Sequence, residues 1–286
     1  MKVGIFYAYW VHDWDVNFHP YIDKASDIGF DVIEVNAGTI ADMTSDERKE
    51  LKAHAQDKGI ELSYVVGLQH QYDIALADEG IRKNGIAYLQ KMAKAVGEMG
   101  GGPVGGIIYS SWPASMPEGE TNKQPYIDRS VASMKEAVKA AEDNDVYFCM
   151  EVVNRFEQYL MNTCAEAVEY VKAVGSPNAK VMLDTFHMNI EEDFFYKAIH
   201  RAGDLLGHFH VGETNRMPPG YGRIPWIEVA TALREIKYQG YVVMEPFLMP
   251  GGQIGRDIKV FRNLSIGMEL DDEAHKALQF MRGVLK

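Results

Sequence analysis

Short apolar runs alternate with segments of helical period about eight times along the chain, and this alternation predicts an α/β fold, a closed (β/α)8 TIM barrel. Two further observations point the same way. The 286 residues have the ordinary size of one such barrel, typically ~250 residues with additions. No low-complexity linker or shift of composition divides them, so residues 1–286 read as a single barrel domain. Four polar residues, Glu151, Asp184, His210 and Glu245, also close apolar runs at intervals of 33, 26 and 35 residues, each near one strand-plus-helix unit of ~30 residues.

The strands are expected where β-branched and aromatic residues cluster, at residues 3–9, 32–36, 62–68, 104–110, 147–153, 181–186, 207–211 and 241–247. Between them the period lengthens. Ile127, Val131, Met134, Val138 and Ala141 recur at steps of four, three, four and three, one stripe of an amphipathic helix. Thr44 with Glu47, and Thr163 with Glu166, have the spacing of a capping box, in which side chain and backbone satisfy each other's free groups at a helix start. The helices that follow stop at Gly59 and Gly175, and Gly100-Gly101-Gly102-Pro103 closes another, because glycine takes the left-handed conformation of a helix end without strain. Residues 271–286 read as one additional C-terminal helix with Ala274, Leu278 and Met281 on one side.

Side chains along a barrel strand alternate between the interior and the helix layer. Cys149 shares a face with Glu151, Met182 with Asp184, His208 with His210, and Val243 with Glu245. All four polar residues can therefore point inward at the carboxyl ends of parallel neighbours. Three carboxylates and an imidazole form a hard, oxygen-rich site for a divalent cation. Acids within apolar strands are costly to bury without a partner, which favours that reading over four separate surface charges. His208 lies one layer deeper and reads as a core histidine.

A net charge of −12 opposes approach to polyanions, so neither nucleic acid nor an anionic membrane is expected as a partner. No apolar stretch approaches the ~20 residues of a membrane span. Met1 leads straight into the first strand without a basic leader, and a cytoplasmic protein is expected. The only cysteines, Cys149 and Cys164, are too few for a disulfide framework.

Four segments carry a family resemblance: Glu151-Val152-Val153-Asn154-Arg155-Phe156-Glu157, Met182-Leu183-Asp184-Thr185-Phe186-His187 and the residues after it to Asp193, Gly207-His208-Phe209-His210-Val211-Gly212-Glu213, and Met244-Glu245-Pro246-Phe247. They resemble the ketose 3-epimerases, most closely the D-psicose (D-allulose) branch, with the D-tagatose branch near. The likeness runs from Gly4 to Arg262. It implies a xylose-isomerase-like barrel and one divalent ion per chain, Mn²⁺ or Co²⁺ with Mg²⁺ as a further option, on Glu151, Asp184, His210 and Glu245. It also implies epimerisation of free ketohexoses at C3, substrate contacts from Glu157, His187 and Arg216, and a homodimer or homotetramer.

The implied chemistry suits these residue types. Epimerising C3 of a 2-ketose removes a proton beside a carbonyl and returns one to the opposite face through a cis-enediolate. Glu151 and Glu245, from the fifth and eighth strands, are the candidate base and acid. Trp14 and Trp112 are expected as apolar walls for the sugar, with Tyr7, Trp10 and Phe247 as aromatics at the barrel mouth.

Phe6 stands where these relatives commonly carry tyrosine, and residues 67–74 do not follow their pattern. These departures bear on C4 to C6 of the sugar, with D-fructose and D-psicose expected ahead of D-tagatose and D-sorbose. Gly251-Gly252-Gln253-Ile254-Gly255 lies where barrels often bind phosphate, so a ketose-phosphate epimerase is one rival reading. An aldose–ketose isomerase, an abasic-site endonuclease and a non-catalytic sugar-binding module are the others.

Overall fold

A computed structural model describes all 286 residues. The chain alternates strand and helix in the order β1 (Lys2–Phe6), α1 (His19–Ile28), β2 (Val32–Asn36), α2 (Ala37–Asp42), α3 (Ser45–Asp57), β3 (Glu61–Val65), α4 (Glu79–Met99), β4 (Gly102–Gly106) and α5 (Gln124–Glu142). It continues with β5 (Val146–Glu151), α6 (Cys164–Val174), β6 (Ala179–Asp184), α7 (Thr185–Glu191), α8 (Phe195–Ala202), β7 (Leu206–Val211), α9 (Trp226–Glu235), β8 (Tyr241–Met244), α10 (Gly252–Asp257) and α11 (Leu270–Val284). The eight strands pair in parallel in sequence order, and β8 closes on β1 through Lys2 opposite Tyr241 and Ile5 opposite Met244. No sheet edge is left open.

Both expected capping boxes are present, Thr44 with Glu47 at the start of α3 and Thr163 with Glu166 at the start of α6. Gly100 and Gly175 end α4 and α6 in the left-handed conformation, at φ 117° and 75°. The terminal helix α11 buries Ala274, Leu278 and Met281. Its start is tied to the chain after β1 by the Tyr9 hydroxyl on the Leu270 carbonyl at 2.9 Å and the Trp10 indole N–H on Asp271 at 2.7 Å. No helix is long and apolar enough to cross a membrane.

Several strands are shorter at their carboxyl ends than the apolar pattern suggests. Residues 7–10 tighten into a 3₁₀ turn with Tyr7, Ala8 and Tyr9 still buried. After β4 the chain bends at Gly106, whose φ of +100° and close approach to the Val66 carbonyl leave no room for a Cβ. The run 66–68 then keeps only a single bridge, Leu68 to Ser111. These segments are apolar because the barrel mouth is covered, and burial without pairing leaves the same signature in sequence as a strand.

Gly85 lies on the face of α4 that meets the loop after β3. A Cβ there would sit 2.2 Å from the Tyr72 carbonyl oxygen and 2.6 Å from Ile74 Cγ2. Gly85→Ala is expected to destabilise the fold by about 1–3 kcal/mol through overpacking, although alanine is the better helix former. Thermal unfolding checks this, and an unchanged or raised midpoint would show that the loop yields freely.

Candidate active site

The ends of β5, β6 and β7 and the residue after β8 bring Glu151, Asp184, His210 and Glu245 together. One ligand atom from each lies within 4.8 Å of all the others, and all four residues are buried. Backbone contacts fix how each is presented. The Glu151 carbonyl accepts the Tyr109 hydroxyl at 2.9 Å. Asp184 caps α7 with Oδ1, which accepts the Phe186 N–H at 2.9 Å, so Oδ2 is the oxygen left for the cluster. The Thr185 hydroxyl donates to the Gly212 carbonyl at 2.7 Å and accepts the Gly212 N–H at 2.9 Å, locking the ends of β6 and β7 in register.

Arg216 is the cationic partner. Its Nη1 donates to Asp184 Oδ2 at 2.6 Å and to Glu245 Oε2 at 2.7 Å, and its guanidinium carbon lies 3.9 Å from the centre of the Phe186 ring. Arg216, expected from the resemblance as a substrate contact, is buried, lines the cavity and also meets the carboxylates. It reaches them because its backbone is left-handed, with φ 63°, and because Glu213 organises the loop. The Glu213 carboxylate accepts from the Gly220 N–H at 2.8 Å, the Ile224 N–H at 3.3 Å and the Trp226 indole at 2.9 Å.

His187, Asn154 and Glu157 form a second group beside the cluster. The Asn154 backbone N–H, which can only donate, meets His187 Nδ1 at 3.1 Å. In the neutral ring the proton is then on Nε2, which lies 3.6 Å from Asp184 Oδ2 and 3.9 Å from Glu151 Oε1. Burial, and next the Arg216 charge, push the His187 pKa down to about 3, so the ring is a neutral donor near pH 7. Glu157 accepts from the Asn154 amide at 2.8 Å and from the Trp112 indole at 2.9 Å. Within the cluster, burial and then the neighbouring Glu245 carboxylate push the Glu151 carboxyl well above the usual range.

Beneath these groups lies a residue that sequence reasoning missed. Glu34, in the middle of β2, is fully buried; His208 Nε2 meets its Oε1 at 2.7 Å and His210 Nε2 its Oε2 at 2.5 Å. The Ser63 hydroxyl donates to Oε1 at 3.0 Å. The signal was available: an acid inside the run Val32-Ile33-Glu34-Val35 has the same character as the four residues singled out, but stands mid-strand.

The cluster opens into a cavity of about 510 Å³ whose lining includes Glu151, Glu157, His187, Arg216 and Glu245 together with Trp14, Trp112 and Phe247. That volume suits a small ligand. Tyr7, expected among the aromatics at the barrel mouth, does not line it. The 3₁₀ turn after β1 rotates Tyr7 beneath Phe6, where its hydroxyl donates to the Trp14 carbonyl at 2.6 Å. Phe6 takes the cavity position instead, with Phe247 packed edge-on at 6.2 Å. Trp10 also stays off the cavity and stacks on Tyr21.

A closed parallel barrel with three acids and an imidazole at the carboxyl ends of its last four strands defines a class, and the sequence model described as "Xylose isomerase-like TIM barrel" matches residues 22–264. The chain is 44% identical to the D-psicose 3-epimerase of Agrobacterium fabrum, over 100% of this chain and 99% of that protein. It is 45% identical to the D-psicose 3-epimerase of Ruminiclostridium cellulolyticum, over 100% and 98%. The crystal structure of D-psicose 3-epimerase with D-tagatose from Clostridium cellulolyticum H10 superposes with a TM-score of 0.97 at 45% identity, covering all of both chains. The chain belongs to the xylose isomerase-like barrels and, within them, to the D-psicose 3-epimerases.

Glu213→Ala leaves three N–H donors without their acceptor, each worth roughly 1–3 kcal/mol when buried and unsatisfied. Hydrogen exchange is expected to accelerate in residues 214–224 while the barrel strands keep their protection. Equal exchange in the loop would show that Arg216 is held by its carboxylates alone.

Proposed function

We propose that the chain epimerises free ketohexoses at C3, with D-fructose and D-psicose as the preferred pair. Glu151 and Glu245 act as the base and acid, and Glu151, Asp184, His210 and Glu245 hold one divalent cation, Mn²⁺ or Co²⁺, with Mg²⁺ as an alternative. The observation that carries this reading is the meeting of Glu151 and Glu245 with a cation-binding donor set inside one cavity, in a chain of that family. The donor set fits a cation. His210 Nδ1 is buried without a hydrogen-bond partner, 3.5 Å from Glu245 Oε2 and 4.0 Å from Glu151 Oε1, so a lone pair and carboxylate oxygens converge on one point.

When bound, a divalent cation supplies Lewis acidity toward the carbonyl and hydroxyl oxygens at C2 and C3. The chain's own groups do the rest. One glutamate takes the C3 proton and the other returns a proton to the opposite face of the enediolate, with roles exchanged for the reverse substrate. The neutral His187 donates from Nε2 to the oxygen at C2. The Arg216 Nη2 atom lies 3.2 Å from that Nε2; two donors so close are reconciled by a shared acceptor, and a sugar oxygen provides one. Glu157 anchors a hydroxyl further along the chain, while Trp14, Trp112, Phe6 and Phe247 wall the cavity against water.

The glycine run after β8 supports a free sugar over a sugar phosphate. Three of its backbone donors are already committed, Gln253 N–H to Asp13 at 2.9 Å, Ile254 N–H to the His12 carbonyl at 3.0 Å and Gly255 N–H to the Gly251 carbonyl at 3.0 Å. Gly252 is needed there because a Cβ would lie 2.1 Å from the His12 carbonyl oxygen. A phosphate would have to displace these bonds and approach the Asp13 carboxylate. The −12 charge weighs against a nucleic-acid substrate. The reading includes one functional domain over residues 1–286, a cytoplasmic location, no membrane or nucleic-acid partner, and a homodimer or homotetramer.

Stripping divalent ions with a chelator is expected to abolish turnover and lower the unfolding midpoint, because a ligand that binds only the folded state stabilises it. Mn²⁺ or Co²⁺ should restore both; full activity in protein shown metal-free by elemental analysis would remove the cation from the reading.

Turnover of D-fructose in D₂O should place solvent deuterium at C3 of D-psicose, whereas retention of the substrate hydrogen would exclude proton abstraction. Glu151→Gln and Glu245→Gln should each lose at least ~10²-fold in rate, the usual scale of a general acid–base contribution, with metal content measured in parallel. Near-normal epimerisation by the metal-loaded double variant would sink the two-glutamate scheme.

A further inference from the structure

Glu34, Ser63 and His208 are buried and do not line the cavity, yet Glu34 holds the far side of His210, the only imidazole in the cluster. We propose that Glu34 is a positioning residue: by accepting the Nε2 proton of His210 it fixes which imidazole nitrogen faces Glu151, Asp184 and Glu245, and thereby sets the affinity of the site for a divalent cation. The inference rests on the cation site proposed above.

The hydrogen-bond inventory supports it. Ionised Glu34 is acceptor-only. A carboxylate oxygen facing each Nε2 requires a proton on both, at 2.7 Å from His208 and 2.5 Å from His210. The remaining nitrogens, His208 Nδ1 and His210 Nδ1, are the two buried ring atoms here with no hydrogen-bond partner. They differ in surroundings. His210 Nδ1 is one of the converging ligand atoms, whereas His208 Nδ1 has no acidic neighbour. Histidine ligands that donate their second N–H to a carboxylate are held in the correct tautomer and orientation, and loss of the partner typically weakens metal binding 10–100-fold.

Replacement by glutamine should act on His210 rather than His208, for two reasons. The Ser63 hydroxyl donates to Glu34 Oε1, the oxygen that also serves His208, so the amide oxygen is held on that side and the NH₂ group faces His210. An NH₂ group there demands an unprotonated Nε2. Moving the His210 proton to Nδ1 is tolerated because Glu245 Oε2 is 3.5 Å away to receive it; His208 Nδ1 has no such acceptor. The proton then occupies the position offered to the cation.

Two measurements on the full chain test this. Nitrogen-15 NMR of histidine-labelled protein carrying Zn²⁺, a diamagnetic ion with affinity for imidazole and carboxylate, should show His210 protonated at Nε2 and bare at Nδ1. Free Mn²⁺ counted by electron paramagnetic resonance should give a dissociation constant 10–100-fold weaker for Glu34→Gln than for the wild type, with partial recovery in Glu34→Asp, which keeps the charge. Thermal unfolding of the metal-free variants separates misfolding from weakened binding. An unprotonated His210 Nε2 in the wild type, a result that needs no variant, would overturn the proposal, as would unchanged Mn²⁺ affinity in a folded Glu34→Gln. Failure of the wild type to bind either ion would instead defeat the cation reading of the active site, and the His210 protonation pattern of the metal-free wild type would then decide the role of Glu34.

Discussion

Four carboxylates, Glu34, Glu151, Asp184 and Glu245, are buried inside one barrel, and their mutual repulsion is the constraint that the surrounding architecture answers. An unpaired buried charge costs several kcal/mol, and removing one partner of a buried pair roughly 3–5 kcal/mol, a large share of the roughly 5–15 kcal/mol that holds a domain folded. The protein meets the cost by position. Glu34 faces two imidazoles, Asp184 caps a helix and meets Arg216, and Glu245 shares the same guanidinium nitrogen. Glu151 has no hydrogen-bonded cation of its own, and its carboxyl is the one pushed up by burial and by Glu245. One guanidinium is less than three acids require, and the cation proposed for this site would make up the difference without filling the cavity with protein.

That solution depends on the barrel. Parallel strands in sequence order put alternate side chains inside and turn every carboxyl end to one rim. The interior must also leave space for large groups low down. Gly105 in β4 is such a space: a Cβ there would lie 2.5 Å from Met182 Sδ and 3.6 Å from His208 Cδ2. A glycine on one strand thus admits the Met182 side chain beside His208, and His208 shares Glu34 with the imidazole at the rim. Above the rim, the Glu213 loop and the Phe186 ring hold Arg216 in a conformation that costs energy on its own.

The barrel and the four-residue cluster were legible because each leaves a periodic trace. Capping boxes repeat at helix starts, and an acid or histidine that closes an apolar run has few structural explanations. Legibility failed where one physical cause yields two structures. Residues 7–9 and 66–68 are as apolar as strands because they roof the mouth, and only the pairing pattern separates them from β1 and β3. Tyr7 went to the cavity in sequence and beneath Phe6 in space because a 3₁₀ turn changes which way a side chain points without any polar marker. Glu34 stood mid-strand, where an acid reads as an exception rather than a site, and its partners lie 174 and 176 residues away. Glu213 shares that difficulty, since two of its three donors, Gly220 and Ile224, come from a loop with no regular period and the third, Trp226, opens α9.

The cavity also separates chemistry from fit along the chain. Glu151, Glu157, His187, Arg216 and Glu245 all come from β5 onward, whereas Phe6 closes β1 and Trp14, Gly67, Gln69 and Tyr72 come from the loops after β1 and β3. Phe6 and three residues of the segment 67–74, the positions expected from sequence to bear on C4 to C6 of the sugar, fall in the second set. Tyr72 stacks on Tyr88 at 4.2 Å, and no ion pair joins that wall to the charged cluster. Binding contacts at the far end of a sugar can therefore change without disturbing the balance among the buried carboxylates, whereas a change in β5 to β8 alters charge and ligand geometry together. A barrel closed on itself allows this because its two halves share a rim but contribute to it through separate loops.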